Sequence, residues 1–114
     1  MSDAIVATTI HGSGTASVRL AGQLVFDTAQ SAKPQFSALL DAGCRRLIVD
    51  ASELDLLDSS GLGILLATWQ RLTSFGGGLE IRGAHGQPAR MLSITGSDLL
   101  LVAPEVPGPG GGAN

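Results

Sequence analysis

Aromatic side chains make up only 4% of the sequence, and no basic cluster carries them at the spacing that stacking on bases requires. With a net charge of −3 and a pI of about 5.1, nothing favours a polyanion such as nucleic acid as a direct partner. There is one cysteine, Cys44, so no internal disulfide can form, and the chain suits a reducing compartment. Met1 to Thr9 has neither a basic start nor a long apolar stretch, so no signal peptide is expected. No run approaches the roughly 20 apolar residues of a membrane span. A cytoplasmic protein with no membrane partner is expected. What remains is 114 residues, 44% hydrophobic and 15% charged, which is enough for one domain with a modest core.

The most informative stretch is Asp50 to Phe75. It predicts a strand end, a short acidic loop and then a helix opening on Asp58-Ser59-Ser60-Gly61. Leu62, Leu65, Leu66, Trp69 and Leu72 recur at helical spacing and define a core-facing side. Asp58 or Ser59 is suited to cap the first turn, since a short side-chain oxygen can accept its orphan N–H groups. Gly61 and Gly63 each cost roughly 1 kcal/mol relative to alanine in a helix. Their presence predicts that a sheet or a partner comes close to this backbone.

Upstream, Ala4–Ile10 and Thr15–Leu20 are strand-like and separated by His11-Gly12-Ser13-Gly14, a hairpin loop; Gly22-Gln23-Leu24 can add a short third strand. A helix follows, with Asp27-Thr28 at its start, Phe36, Leu39 and Leu40 on one face and Gly43 closing it. Pro34 lies either in the first turn of a helix that begins late, or at a kink in one that begins at Thr28. Arg46–Asp50 reads as a central strand buried on both faces. Leu79–Arg82 is the next strand, Gln87–Ile94 a third helix, and Leu99–Val102 a last strand or packing segment. Residues 104–114, rich in proline and glycine, are expected to be a disordered tail behind a domain spanning residues 1–103. Helices alternating with buried strands predict an α/β domain.

Ile48-Val49-Asp50 and Leu57-Asp58-Ser59-Ser60-Gly61-Leu62-Gly63 resemble the signature of the STAS domain family of bacterial anti-sigma factor antagonists. Leu20–Leu24, Thr28-Ala29, Gly77-Gly78-Leu79 and Arg90–Gly96 extend the likeness from Val6 to about Leu101. The resemblance implies a small α/β STAS-type domain: a mixed central sheet of four to five strands with three to four helices. It implies no enzyme activity and no cofactor. Its implied partner is an anti-sigma factor that is itself a serine/threonine kinase of histidine-kinase-like fold. The unphosphorylated protein binds that kinase and frees the sigma factor. Phosphorylation of Ser59 blocks binding, and a metal-dependent serine phosphatase reverses it. Partner-binding residues are then Asp58, Ser60, Gly61, Leu62, Gly63, Asp55, Gln23 and Asp27. The family's usual acidic Gly-Glu-Leu-Asp pattern is replaced here by Gly22-Gln23-Leu24-Val25.

Other chemistries are weaker on the same residues. On spacing alone, plain helix capping accounts for Asp58, Ser59 and Ser60; the glycines and the resemblance turn the reading toward Ser59 as acceptor. Asp50, Glu53, Asp55 and Asp58 are four acids in nine residues, read as a solvated loop rather than a metal cluster or glycosidase pair. Gly61-Leu62-Gly63 lacks the rest of a dinucleotide fingerprint or P-loop. A serine hydrolase would need a base, and the only histidines are His11 and His85. Cys44 beside Arg45 and Arg46 could be activated, although a structural cysteine is the better account. A STAS module that is never phosphorylated, serving as a fixed subunit of a transporter or signalling assembly, is the main alternative.

Overall fold

In the computed structural model, residues 4–101 are described. They form β1 (Ile5–Gly12), β2 (Thr15–Leu24), α1 (Phe26–Asp41), β3 (Arg46–Leu57), α2 (Ser59–Ser74), β4 (Gly78–Arg82), α3 (Gly86–Ile94) and a single helical turn, α4 (Asp98–Leu101). The sheet has the order β1-β2-β3-β4, with β1 antiparallel to β2 and the other pairs parallel. This is the expected mixed α/β sheet. Each parallel pair is bridged by a helix because parallel strands need a crossover long enough to return the chain to the starting end.

Register explains which residues form the core. Ala16, Leu47 and Leu79 lie side by side across the three parallel strands, as do Val18, Val49 and Ile81. All six are buried, together with Leu20 and Ala51. Ala29, Ala32, Phe36 and Leu40 of α1 and Leu62, Leu65 and Leu72 of α2 complete the same core. The helical spacing expected for α2 is therefore realised, with Leu66 and Trp69 half-buried at its margin.

The opposite face of the sheet differs from expectation. Its rows are Ser17, Ile48 and Glu80, then Arg19, Asp50 and Arg82, each exposed or half-buried. Arg46–Asp50 is thus buried on one face only. This second face carries polar pairs instead: His11 with Ser17 at 2.7 Å, Arg19 with Glu53 at 3.8 Å, and Arg82 with Glu80.

Three further expectations are corrected. Gly22-Gln23-Leu24 is no separate strand but the end of β2, continued past a register shift at Gly22, whose φ of +74° favours glycine. The acidic segment Glu53–Leu57 is no loop but the second half of β3, pairing with Ala21–Leu24 of β2. α1 begins at Phe26, earlier than either reading of Pro34, and runs through that residue, which is exposed. Leu99–Val102 is represented by α4, with Leu101 buried; Val102 and the expected tail lie outside the described residues.

Candidate functional site

Both β2 and β3 end at the same edge of the sheet, and α1 and α2 start there side by side. Asp58 is the N-cap of α2, in extended conformation, and its Oδ1 accepts the Gly61 N–H at 3.0 Å. Its Oδ2 accepts the Phe26 N–H at 3.1 Å, at the first residue of α1. One carboxylate thus serves two helix N-termini, where negative charge is favoured by both the free N–H groups and the dipoles. α1 has Val25 at its cap position, with no side-chain acceptor. Thr28 contributes the rest: its Oγ1 accepts the Val25 N–H at 2.9 Å and its hydroxyl donates to the Gln23 carbonyl at 2.7 Å.

Of the two candidate caps, the structure selects Asp58. Ser59 follows as the first helical residue, with an exposed side chain that is not needed to hold the turn. Ser60 is half-buried. Gly61 is buried under the end of β2, and a Cβ there would overlap the Leu24 carbonyl oxygen and crowd Leu24 and Leu57 side chains. The close approach predicted from this glycine is therefore made by the sheet. Gly63 is exposed, and a Cβ there would meet nothing within 4 Å, so the close approach expected at both glycines is made at Gly61 and not at Gly63. Leu62 is buried in the core. Asp55, Gln23 and Asp27 are exposed around the same edge.

Gln87 was not singled out by its sequence context. From α3 its Oε1 accepts the Leu57 N–H at 2.8 Å and its Nε2 donates to the Leu57 carbonyl at 2.9 Å. The amide imitates a neighbouring strand where β4, paired only with Arg46–Asp50, has already ended. It thereby fixes the residue immediately before Asp58. Phe26 and Leu56 are large apolar side chains left 61% and 37% exposed at this edge, and Phe26 lines a cavity with Ser60 and Ile64 of α2. A groove between α1 and α2, of about 340 Å³, is lined by Lys33, Ser59, Gly63, Ile64 and Arg71 among others.

The chemistry of a hydrolase is not assembled at Ser59. His85 Nε2–H donates to the Ser52 carbonyl at 2.8 Å, and His11 is engaged with Ser17. Nor do the four acids converge: among the described residues no three or more of His, Cys, Asp and Glu are grouped to share a metal ion. Burial pushes the Cys44 thiol up, against the smaller opposing effects of backbone hydrogen bonds at Arg46 and Ala16 and of the Arg45 charge. No described helix is long and apolar enough to cross a membrane.

A mixed four-stranded sheet whose second crossover helix opens on an Asp58 cap and an exposed serine defines the class. The chain belongs to the STAS family: residues 8–103 match the family described as "Mlab, STAS domain". It is similar to an anti-sigma F factor antagonist of Paenibacillus polymyxa, 28% identical over 87 residues that cover 75% of this chain and 74% of the relative. Among solved structures it is similar to the anti-sigma factor antagonist SpoIIAA in its unphosphorylated form, with a TM-score of 0.76, 18% identity and 84% of each chain covered. The Bacillus cell fate determinant SpoIIAA in the phosphorylated form has a TM-score of 0.69 at 18% identity, covering 84% of this chain and 87% of that one.

Proposed function

We propose that this protein is a cytoplasmic anti-sigma factor antagonist switched by phosphorylation at Ser59. In the unphosphorylated state it binds an anti-sigma factor, a serine/threonine kinase of histidine-kinase-like fold, and releases the sigma factor. A metal-dependent serine phosphatase restores that state. The observation that carries the reading is the division of labour at the start of α2: Asp58 performs the capping, and the Ser59 hydroxyl stays exposed. A residue that the fold does not use is available for modification.

The partner surface of this reading is Ser59, Ser60 and Gly63 on α2, with Asp55, Gln23, Asp27, Phe26 and Leu56 around it. Asp58, Gly61 and Leu62 act from behind, by holding the turn. A phosphate on Ser59 would add about −1.5 to −2 charge, which a helix N-terminus tolerates. A partner burying the same surface would have to desolvate that charge. A penalty of about 3 to 5 kcal/mol weakens a complex by roughly two to four decades.

Two measurements test this. Peptide-resolved mass spectrometry of the protein from its own cells should find phosphate on Ser59 in some growth or stress state. Its absence in all of them would favour the fixed-subunit alternative, and phosphate on Ser60 would reassign the acceptor. Ser59→Asp should fold with unchanged circular dichroism and bind the anti-sigma factor at least a hundredfold more weakly than Ser59→Ala. Equal binding by the two variants would rule out a charge block.

A further inference from the structure

The groove beside Ser59 contains a cation that no acidic side chain pairs among the described residues. Lys33, on α1, lines the cavity of about 340 Å³ together with Ser59 and Ser60. It also lines an adjoining cavity of about 220 Å³, where Ser60 and Ile64 recur beside Phe26. Lys33 is exposed and forms no ion pair among the described residues. Arg71, at the far end of the groove, is engaged by Asp41 at 3.5 Å and donates to Ser37 Oγ at 3.4 Å. It also stands twelve residues along α2 from Ser59, roughly 18 Å at 1.5 Å per residue.

Lys33 stands seven residues past Phe26, roughly 10 Å along α1, and helix geometry directs its side chain back toward the start of α2. Side chains on a helix lean toward its N-terminus, so a lysine stem on α1 runs back toward the level where both helices begin. Gly63 leaves the intervening floor open, since a Cβ there would meet nothing within 4 Å.

We propose that a phosphate on Ser59 is received in cis by this groove, as an ion pair with Lys33. The proposal rests on Ser59 as the acceptor and adds the regulatory step. The phosphate closes over the mouth of the α1–α2 trough and neutralises its free cation, so modification removes both the apolar recess and the positive charge offered to a partner. Lys33 from α1 attracts the phosphate. Asp27 from α1 and Asp55 and Asp58 from the β3 side oppose it, and the free N–H groups of the α2 first turn assist it.

The test needs no partner. Phosphoserine is installed at position 59 of the full chain by genetic encoding, and the phosphate is titrated by phosphorus NMR. Its second pKa, ordinarily about 6, should lie lower in the wild-type background. Lys33→Gln should raise it by about 0.3 to 1 unit, Lys33→Arg should keep it low, and Arg71→Gln should leave it unchanged. A Lys33→Gln value equal to wild type, or a shift as large in Arg71→Gln, would overturn the ion pair. Failure to find Ser59 phosphate in cells would instead remove the functional reading, whatever the titration of the installed phosphoserine gives.

Discussion

Gly61 and Gly63 sit two residues apart on one helix, and their surroundings are opposite in kind. Gly61 is pressed against the end of β2, whereas Gly63 faces open space. Alanine at 61 must displace the Leu24 carbonyl, so Gly61→Ala should destabilise the fold by about 2 kcal/mol or more, as forced overpacking does. Alanine at 63 meets no obstacle and restores helix propensity, so Gly63→Ala should stabilise by about 0.5 to 1 kcal/mol. Urea denaturation of both variants checks the pair. If the groove floor must stay bare for the partner, Gly63→Ala will also weaken complex formation while raising the urea midpoint, a combination that a damaged fold cannot produce.

Among elements, α3 is tied to the site through a single side chain. Removing Gln87 leaves the N–H and carbonyl of Leu57, a fully buried residue, without partners. Gln87→Ala should cost about 1 to 3 kcal/mol and speed amide exchange at Leu57, measurable by NMR. Unchanged exchange at Leu57 would show that water or another group satisfies that backbone. The elements also mark what could be read beforehand. The hairpin, the amphipathic α2 and its start were legible because their signals are local: glycines between strand-like runs, leucines at helical spacing, and a capping residue ahead of them. Glu53–Leu57 misled because its outward-facing acids resemble a loop when its pairing with β2 is unknown. Pro34 is ambiguous in the sequence because the cost of a missing helical N–H is local, whereas the burial of Ala29, Ala32, Phe36 and Leu40 that outweighs it is tertiary. The Gln87 clamp joins residues thirty positions apart, and the second bond of Asp58 spans thirty-two, so no local pattern announces either.

At the scale of the molecule, one face of the sheet carries helices and the other a polar surface of Ser17, Arg19, Asp50, Glu80 and Arg82. The six buried residues of the inward-facing strand rows pack in one core with α1 and α2, and Cys44 belongs to it, 6% exposed with its thiol donating to the Arg46 carbonyl. A raised thiol pKa means that the folded state holds the proton more tightly than the unfolded chain. The associated stability is present below the unfolded thiol value of about 8.5 and is lost as the pH climbs through the folded one. Alkylation by iodoacetamide at pH 8 should consequently be at least about tenfold slower in the native protein than in urea, and its rate should follow opening of the fold. Equal rates would contradict both the burial and the raised pKa.

The two bonds of Asp58 make its side chain a ruler. One methylene sets the distance from the backbone of α2's cap to the first amide of α1, and both carboxylate oxygens are already claimed. Glutamate carries the same charge on a longer arm and changes the gauge between the two helices. Loss of activity in a substitution at Asp58 would thus report spacing before it reported any contact with another molecule. Ser59 stands next to the ruler's fixed end, so its location in the fold is set by the same two bonds.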